Sequence, residues 1–600
     1  MDSAVTAASL HTLPHARPEP QITVLDAGGQ YCHLIARRVR DLGVYAEVRP
    51  SDTPASELKN RRGIIVSGGP ASVYEAGSPR IDPEILNAGP AIFGICYGLQ
   101  AVAHALGAPV QRGEKGEYGL ARIELRHAHP LFPGESAGGL QVWMNHRDRL
   151  EAPPAGFDLI ASSGDCPVAA IAHRERPIAG VQFHPEVVHT QFGGEILANF
   201  VFGMAQCERD WSPKDRLGLI EADIRETVRD RSVFFFVSGG VDSTVAYTLC
   251  LRALGPDRVF GIYVDTGLMR EGETEYVRRL FATLGAKAFR VEDASREFLE
   301  KLASLTDPEA KRMAIGEEFV AVQDRILRSG HFLDGNWILG QGTIYPDTIE
   351  SGGTANADVI KTHHNRVAGI QQLISENRLV EPLASFYKDE VREIGRELGI
   401  PGEFLSRHPF PGPGLAIRCL CSAEERPLVR IDDGLLLPIR SVGVHGDSRS
   451  YRPVLWGFIG MDHARATELV NASTEFNRVI CQTASNAAFG DMRVTRGFID
   501  ETRLARLRRA DFVVRRFSQS AGFEDQVWQF PVVLIPVGTS ERPDSVVLRP
   551  IHSVDGMTAQ SVEMPRELLS RIGAELLAIP GVCSVFYDLT HKPPGTIEWE

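Results

Sequence analysis

Nine cysteines are scattered through 600 residues with no pairing framework, so a reduced cytoplasmic protein is expected rather than a disulfide-stapled secreted one. Cys419-Leu420-Cys421 lacks the spacing and partners of a zinc site and reads as structural. No apolar run approaches the roughly 18 residues that a membrane-spanning helix needs. Positive charge is also short: the net charge of −13 argues against general nucleic-acid or membrane-surface binding, though a local basic site remains open. The first twenty residues, rich in Ala, His and Pro, have neither the basic start nor the apolar core of a signal peptide, and a disordered tail is expected there. What is present, 43% hydrophobic and 24% charged residues, describes a globular chain long enough for several domains.

A Walker loop is missing as well. In its place stands Ser238-Gly239-Gly240-Val241-Asp242-Ser243, between the apolar run Val233 to Val237 and a helix-like segment, Thr244 to Leu254. A buried strand, a tight glycine turn and a helix start leave backbone N–H groups pointing at an anion. The glycines allow close approach of phosphate oxygens, and Ser238 and Ser243 add hydroxyl donors. A plain structural cap is the competing reading.

From Gln21, short apolar strands alternate with helical stretches, which implies a largely parallel sheet covered on both faces. The strand Ala91 to Ile95 runs into Cys96, with Gly94 and Gly98 on either side. A cysteine at such a turn is lifted off the sheet edge, and the helix start favours its thiolate. Gly180 to Glu186 brings His184 past a strand with Glu186 two residues on, able to orient the ring. Cys96, His184 and Glu186 are the parts of a thiol acyl-transfer triad.

Trp211-Ser212-Pro213 reads as a linker, and Val259 to Val264 as a strand beside the phosphate-loop strand. In the segment Ile360 to Asn365, Lys361 is the candidate cation for leaving pyrophosphate, and the adjacent His363 and His364 are poorly spaced for metal. His408 to Leu415, with three prolines, is either a rigid linker or a stiff lid. Leu435 to Val444 is echoed by Val532 to Gly538, each a proline-interrupted apolar run with a second strand after it, so an imperfect duplication is expected. Thr502 to Phe517, with six arginines, reads as an amphipathic helix with a solvated face, and the Pro-rich terminus to Glu600 as a tail held in place. The fold class is therefore two successive doubly wound, mostly parallel α/β domains followed by a duplicated α+β region.

These strings carry resemblances. The Ser238–Ser243 loop resembles the PP-loop of ATP pyrophosphatases, and Gly94 to Gln100 with Phe183 to Glu186 resembles the class I glutamine amidotransferases. Gly68 and Gly69 match that family's oxyanion-hole turn, while Arg147 in Asn145-His146-Arg147-Asp148 departs from its Ser/Thr-His-Gly-Asp pattern. In this order, with His408 to Gly414 and Lys592 to Glu600, the whole is similar to the glutamine-hydrolysing GMP synthetase family. That resemblance implies ammonia released from glutamine, ATP as co-substrate with Mg²⁺, and adenylylation of xanthosine 5′-monophosphate (XMP) before amination to GMP. It implies ATP contacts at Ser238, Gly239, Gly240, Val241, Asp242, Ser243 and Lys361, with Asp242 as a candidate Mg²⁺ ligand. XMP contacts would fall on Arg312, Asp447, Arg449, Gln529, Lys592, Ile597 and Glu598. The first duplicated passage resembles the longer, eukaryotic-type form. The implied divisions are a tail over 1–20, an amidotransferase over 21–210, a pyrophosphatase over 211–413, and two dimerisation-like units over 414–500 and 501–600. Small-molecule partners only are expected, with neither nucleic acid nor membrane, in a monomer whose two units pair internally; a homodimer is the alternative. Another glutamine-dependent PP-loop ligase is the rival function. An NAD synthetase would use a nitrilase-type glutaminase, which the Cys96/His184/Glu186 pattern contradicts, and a non-catalytic relative would have lost Cys96 or a loop glycine.

Overall fold

The computed structural model describes residues 19–29, 31–134, 139–187, 189–350, 367–408, 410–445, 448–458, 460–473, 475–553 and 559–600. Three sheets dominate it. The first has nine strands in the order Ala46–Pro50, Ile22–Asp26, Gly63–Val66, Ala91–Ile95, Ile178–Val181, Ala170–His173, Phe157–Ser162, Val110–Leu125, Leu140–Leu150. The first five pair in parallel, as the strand–helix alternation implies, and the rest antiparallel. Successive residues of the parallel strands feed opposite cores: Val24, Ile65 and Phe93 face one, Leu25, Ile64 and Ile92 the other. Burial on both faces is why these strands read as unbroken apolar runs.

The second sheet is parallel throughout, in the order Ala288–Asp293, Val259–Asp265, Ser232–Phe236, Trp337–Gly340, Leu379–Val380. Val233 and Phe235 pack on one side and Phe234 on the other. Trp211 does not behave as a linker residue. It is buried, with ring centroids 4.6 Å from Tyr45 and 5.4 Å from Phe386, and so ties the two α/β units together.

The third sheet carries the duplication. Strands Gly434–His445, Ser448–Gly457 and Arg478–Ser485 pair antiparallel then parallel, with helix His463–Ala472 between the last two. Strands Val532–Ile535, Asp544–Leu548 and Val582–Asp588, with helix Arg566–Leu577, repeat that pattern. The equivalent last strands meet antiparallel, Ile480 opposite Asp588 and Gln482 opposite Phe586, as a two-fold axis requires. Proline acts as anticipated: the register shifts between Leu437 and Ser441, around Pro438, and Val532–Ile535 is an edge strand.

Helix Glu501–Ser520 matches the amphipathic reading, but its arginines are not all solvated. Arg503 is buried and donates to Asp544 Oδ1 at 2.9 Å. The core under this helix is continuous with one face of the second sheet, from Phe234 to Leu589. The synthetase-like and duplicated regions therefore fold on a shared interior.

Candidate active sites

Strand Ala91–Ile95 ends at Cys96, whose φ of +54° precedes helix Tyr97–Ala105. Left-handed backbone at a non-glycine residue is costly, and here it lifts the thiol off the sheet edge. Cys96 is buried; its Sγ lies 3.6 Å from the carbonyl oxygen of Asn145, and Gln182 Nε2 donates to it at 3.6 Å. His184 follows the neighbouring strand, Ile178–Val181, and its Nδ1 is 2.7 Å from Glu186 Oε1. Its Nε2 is buried with no hydrogen-bond partner and is available to the thiol or to a leaving nitrogen. Burial opposes charge on this ring, but Glu186 and then Cys96 outweigh it and hold His184 well above its usual pKa. A Cβ on Gly68 would sit 2.9 Å from His184 Cε1 and 3.5 Å from Cys96 Cβ, so the turn after strand Gly63–Val66 forms one wall of the site. The sequence-derived trio thus converges, with Gly68 beside it. Asn145, at the departing motif, contributes through its main chain, and Arg147 is exposed.

The phosphate loop follows strand Ser232–Phe236 and starts helix Val241–Leu254, three residues earlier than the sequence pattern suggests. No side chain caps that helix, so its first N–H groups are left to a ligand. Gly239 has φ +74°, and a Cβ there would meet Val277 Cγ2 at 2.8 Å. Ser238 and Ser243 hold the turn through a 3.2 Å hydroxyl contact, and Ser238 Oγ accepts from Gly240 N. Asp242 Oδ2 lies 3.3 Å from Lys388 Nζ, while its Oδ1 is buried without a partner. Lys388 opens helix Lys388–Glu397 and is the cation that sequence reasoning missed. Nothing local marks it, because 146 residues separate it from the aspartate it meets. Lys361, His363 and His364 lie outside the described residues.

The tail is built into the third sheet. Val442 N donates to Trp599 O and Val444 N to Pro594 O, both at 2.8 Å, which lays the tail along the first duplicated strand. Two fully buried guanidinium groups, Arg478 and Arg549, share Asp588 Oδ2 at 2.9 and 2.7 Å and donate to carbonyl oxygens of Thr596, Ile597 and Glu598. Asp588 is held below its usual pKa: burial opposes this, and Arg549 and then Arg478 prevail. Glu598 is gripped by Arg418 at 2.9 and 2.6 Å, and Lys311 Nζ meets Glu600 Oε2 at 2.6 Å. Arg312 donates to the Glu600 main-chain carbonyl. Lys592 pairs with Ala559, and Gln529 with Ile551, through main-chain bonds. Arg312, Glu598, Ile597 and Lys592 therefore belong to one tail-centred region, with Gln529 linked through Ile551 to strand Gln560–Ser561 beside Ala559. Asp447 lies outside the described residues; for Arg449 only the backbone, opposite Val444, is described. Of the proline-rich segment, Phe410 lies between Arg270 and Arg418 at 4.5 and 5.3 Å and Leu415 is buried in the shared core, so these residues are packed rather than free.

Comparisons with known proteins agree with this layout. The profile of the family "Glutamine amidotransferase class-I" matches residues 23–204, "NAD synthase" matches 216–319 around the phosphate loop, and "GMP synthase C terminal domain" matches 517–599. A Leptospira interrogans protein named probable GMP synthase (glutamine-hydrolyzing) is 43% identical over 604 residues, spanning 97% of this chain and 99% of its own. The GMP synthase (glutamine-hydrolyzing) of Aquifex aeolicus is 40% identical over 589 residues, spanning 96% and 99%. A buried Cys-His-Glu constellation, an uncapped phosphate loop and similarity along nearly the whole length lead to one conclusion: the chain belongs to the glutamine-hydrolysing GMP synthase family.

Proposed function

We propose that the chain makes GMP from XMP, ATP and glutamine, with the residues named above in the following roles. Cys96 attacks the side-chain amide carbon of glutamine, and the oxyanion faces the Gly68–Gly69 turn. His184, oriented by Glu186, hands its proton to the departing nitrogen, which leaves as ammonia. Water then attacks the glutamyl thioester with His184 as base and releases glutamate. In the second unit the C2 oxygen of XMP attacks the α-phosphorus of ATP, and pyrophosphate leaves against the N–H groups of residues 238–243, Lys388 and Lys361. Ammonia adds at C2, and AMP departs with the oxygen. Adenylylation is needed because a carbonyl oxygen is a poor leaving group.

The buried, unpartnered Oδ1 of Asp242 is a carboxylate oxygen at the phosphate loop and fits a Mg²⁺ ligand. Bound with ATP, the ion would neutralise charge on the phosphates. Lys388 would then release Asp242 and turn to the leaving pyrophosphate. Arg312, Asp447, Arg449, Gln529, Lys592, Ile597 and Glu598 would bind XMP; the main-chain bonds from Val442 and Val444 to the tail support placing both duplicated units at one nucleotide. Units over 21–210, 211–413, 414–500 and 501–600 would be glutaminase, pyrophosphatase and two halves of an internal pseudo-dimer.

The antiparallel meeting of Arg478–Ser485 with Val582–Asp588 supports a monomer, since the chain supplies both halves of a two-fold contact. Sedimentation equilibrium with XMP should give a particle near 65.8 kDa, and a stable species of twice that mass overturns the assignment. No helix among the described residues is long and apolar enough to cross a membrane, and a cytoplasmic location suits nine unpaired cysteines.

The observation that carries this reading is the convergence of Cys96, His184 and Glu186 in the same chain as an uncapped phosphate loop. GMP formation from XMP and ATP is assayed with glutamine and with ammonium as alternative nitrogen sources. Pyrophosphate release with nicotinic acid adenine dinucleotide but not XMP would favour the rival PP-loop ligase.

A further inference from the structure

The antiparallel half of the first sheet holds a second cysteine, histidine and glutamate, outside the Cys96, His184 and Glu186 triad. Glu117 lies on strand Val110–Leu125, His146 on strand Leu140–Leu150, and Cys166 on the turn after strand Phe157–Ser162. Their ligand atoms all fall within 4.8 Å of one another, with His146 and Cys166 buried.

The hydrogen bonds around His146 leave a gap in charge. Its Nδ1 is 3.1 Å from the carbonyl oxygen of Asp148, which can only accept, so Nδ1 carries the hydrogen. Nε2 of the neutral ring is then a bare lone pair, 3.2 Å from Glu117 Oε2, itself an acceptor. Two acceptors at that distance need a cation between them, a proton or a metal ion. A tetrahedral zinc with bonds of about 2.0–2.1 Å to nitrogen and oxygen places those atoms about 3.3 Å apart.

We infer that Glu117, His146 and Cys166 form a divalent-metal site suited to Zn²⁺, separate from the glutaminase triad. One imidazole, one carboxylate and one thiolate are the mixed donors that zinc takes, with a fourth position for water. The outer contacts that orient such ligands are already made. Asp148 O fixes the ring through Nδ1, and Ser163 Oγ donates to Glu117 Oε1 at 3.1 Å. Ser163 Oγ also accepts from Cys166 N at 3.0 Å, so carboxylate and cysteine are anchored to one turn. Without metal the thiol keeps its proton: burial and then the Glu117 charge push Cys166 up to about 12, and its S–H points at Val168 O, 3.3 Å away. Metal binding exchanges that proton for the cation and releases it to solvent. The site is next to the catalytic one through main chain, since Asn145 O touches Cys96 Sγ and Asp148 O accepts from Gln100 Nε2. An occupied site would clamp the segment that lines the glutamine pocket.

The triad also contains cysteine, histidine and glutamate, so the experiment must separate the two. The full-length protein is stripped with chelator, dialysed and titrated with Co²⁺ as a zinc surrogate, then with Zn²⁺ in competition. The expected result is a thiolate-to-cobalt charge-transfer band at one ion per chain, present in Cys96→Ala and absent in Cys166→Ser. Glu117→Gln keeps the acceptor for Ser163 and removes the charge; as loss of a direct ligand it should weaken zinc binding by at least the roughly 10–100-fold that losing an outer contact costs. It serves as the second variant if Cys166→Ser does not fold. A band lost in Cys96→Ala and kept in Cys166→Ser would assign the metal to the triad and overturn the inference. Absence of any band would overturn it too, leaving a proton between His146 and Glu117.

Discussion

The glutaminase and phosphate-loop sites start from the same device, a strand running into a tight turn and a helix, yet they end in opposite states. Cys96, His184 and Glu186 are all buried, in contact with one another's neighbours, and ready without further ordering. The loop Ser238–Ser243 stays partly exposed, its helix uncapped, with an aspartate held by a lysine from another helix. The difference follows from what each must hold. A small neutral amide needs a fixed nucleophile and oxyanion wall, whereas a polyanion needs open N–H groups and movable cations. The first site is complete within one sheet; the second borrows Lys388 from the far end of its domain, and a tail from a third.

The sharpest way to break this comparison is Cys96→Ala. Glutamine-dependent GMP formation should fall by about 10⁴-fold or more while ammonium-dependent formation persists. Equal loss with both nitrogen sources would mean the sites are not separable. Gly239→Val should silence both nitrogen sources, because a β-branched residue at φ +74° also strikes Val277. Pyrophosphate release from ATP plus XMP reads this directly, and wild-type release by a folded variant would refute the loop assignment.

Glu598→Gln tests the tail more gently. Removing the charge and one of the two oxygens that accept from Arg418, worth about 1.5–3 kcal/mol, should weaken XMP binding by roughly tenfold or more and spare glutamine hydrolysis. Calorimetric titration with unchanged XMP affinity would reduce the tail to packing.

The smallest effect concerns His408. Burial, then Arg515 and Arg270, lower its pKa to about 4 despite Glu524 Oε1 at 3.3 Å from Nδ1. A ring held neutral in the folded state stabilises fully above its ordinary value of 6.5 and loses that contribution as pH falls toward 4. The loss is at most about 3 kcal/mol at 1.36 per unit. His408→Gln should flatten the denaturation midpoint over that window, and an unchanged pH profile would show that His408 is not the titrating group.

Much of the fold was readable because its signals are local. The double-sided burial of Val233 to Val237 makes a continuous apolar run, and Pro438 sits where its strand's pairing with Ser448–Gly457 shifts register. Trp211 misleads for the reverse reason: Ser212 and Pro213 look like a linker, but burial of the ring is decided by Tyr45 and Phe386, which are remote in sequence. The antiparallel hairpin of strands Val110–Leu125 and Leu140–Leu150 gave no comparable signal. Its polar residues include Glu117 and His146, which face each other across the hairpin, while Cys166 joins them from a turn beyond the next strand.

The sequence by itself determined the three turns that matter, at Gly68, Cys96 and Gly239, because strand–turn–helix geometry is set by backbone sterics over a few residues. It also determined that the C-terminal region is doubled, since each copy repeats its own proline-broken strand. Only the tertiary structure decided which charges meet: Lys388 with Asp242, Arg418 with Glu598, and Arg478 and Arg549 on Asp588. A buried charge is tolerable only beside its counterion. Which residue supplies the counterion depends on how distant elements pack, and no window along the chain contains both partners.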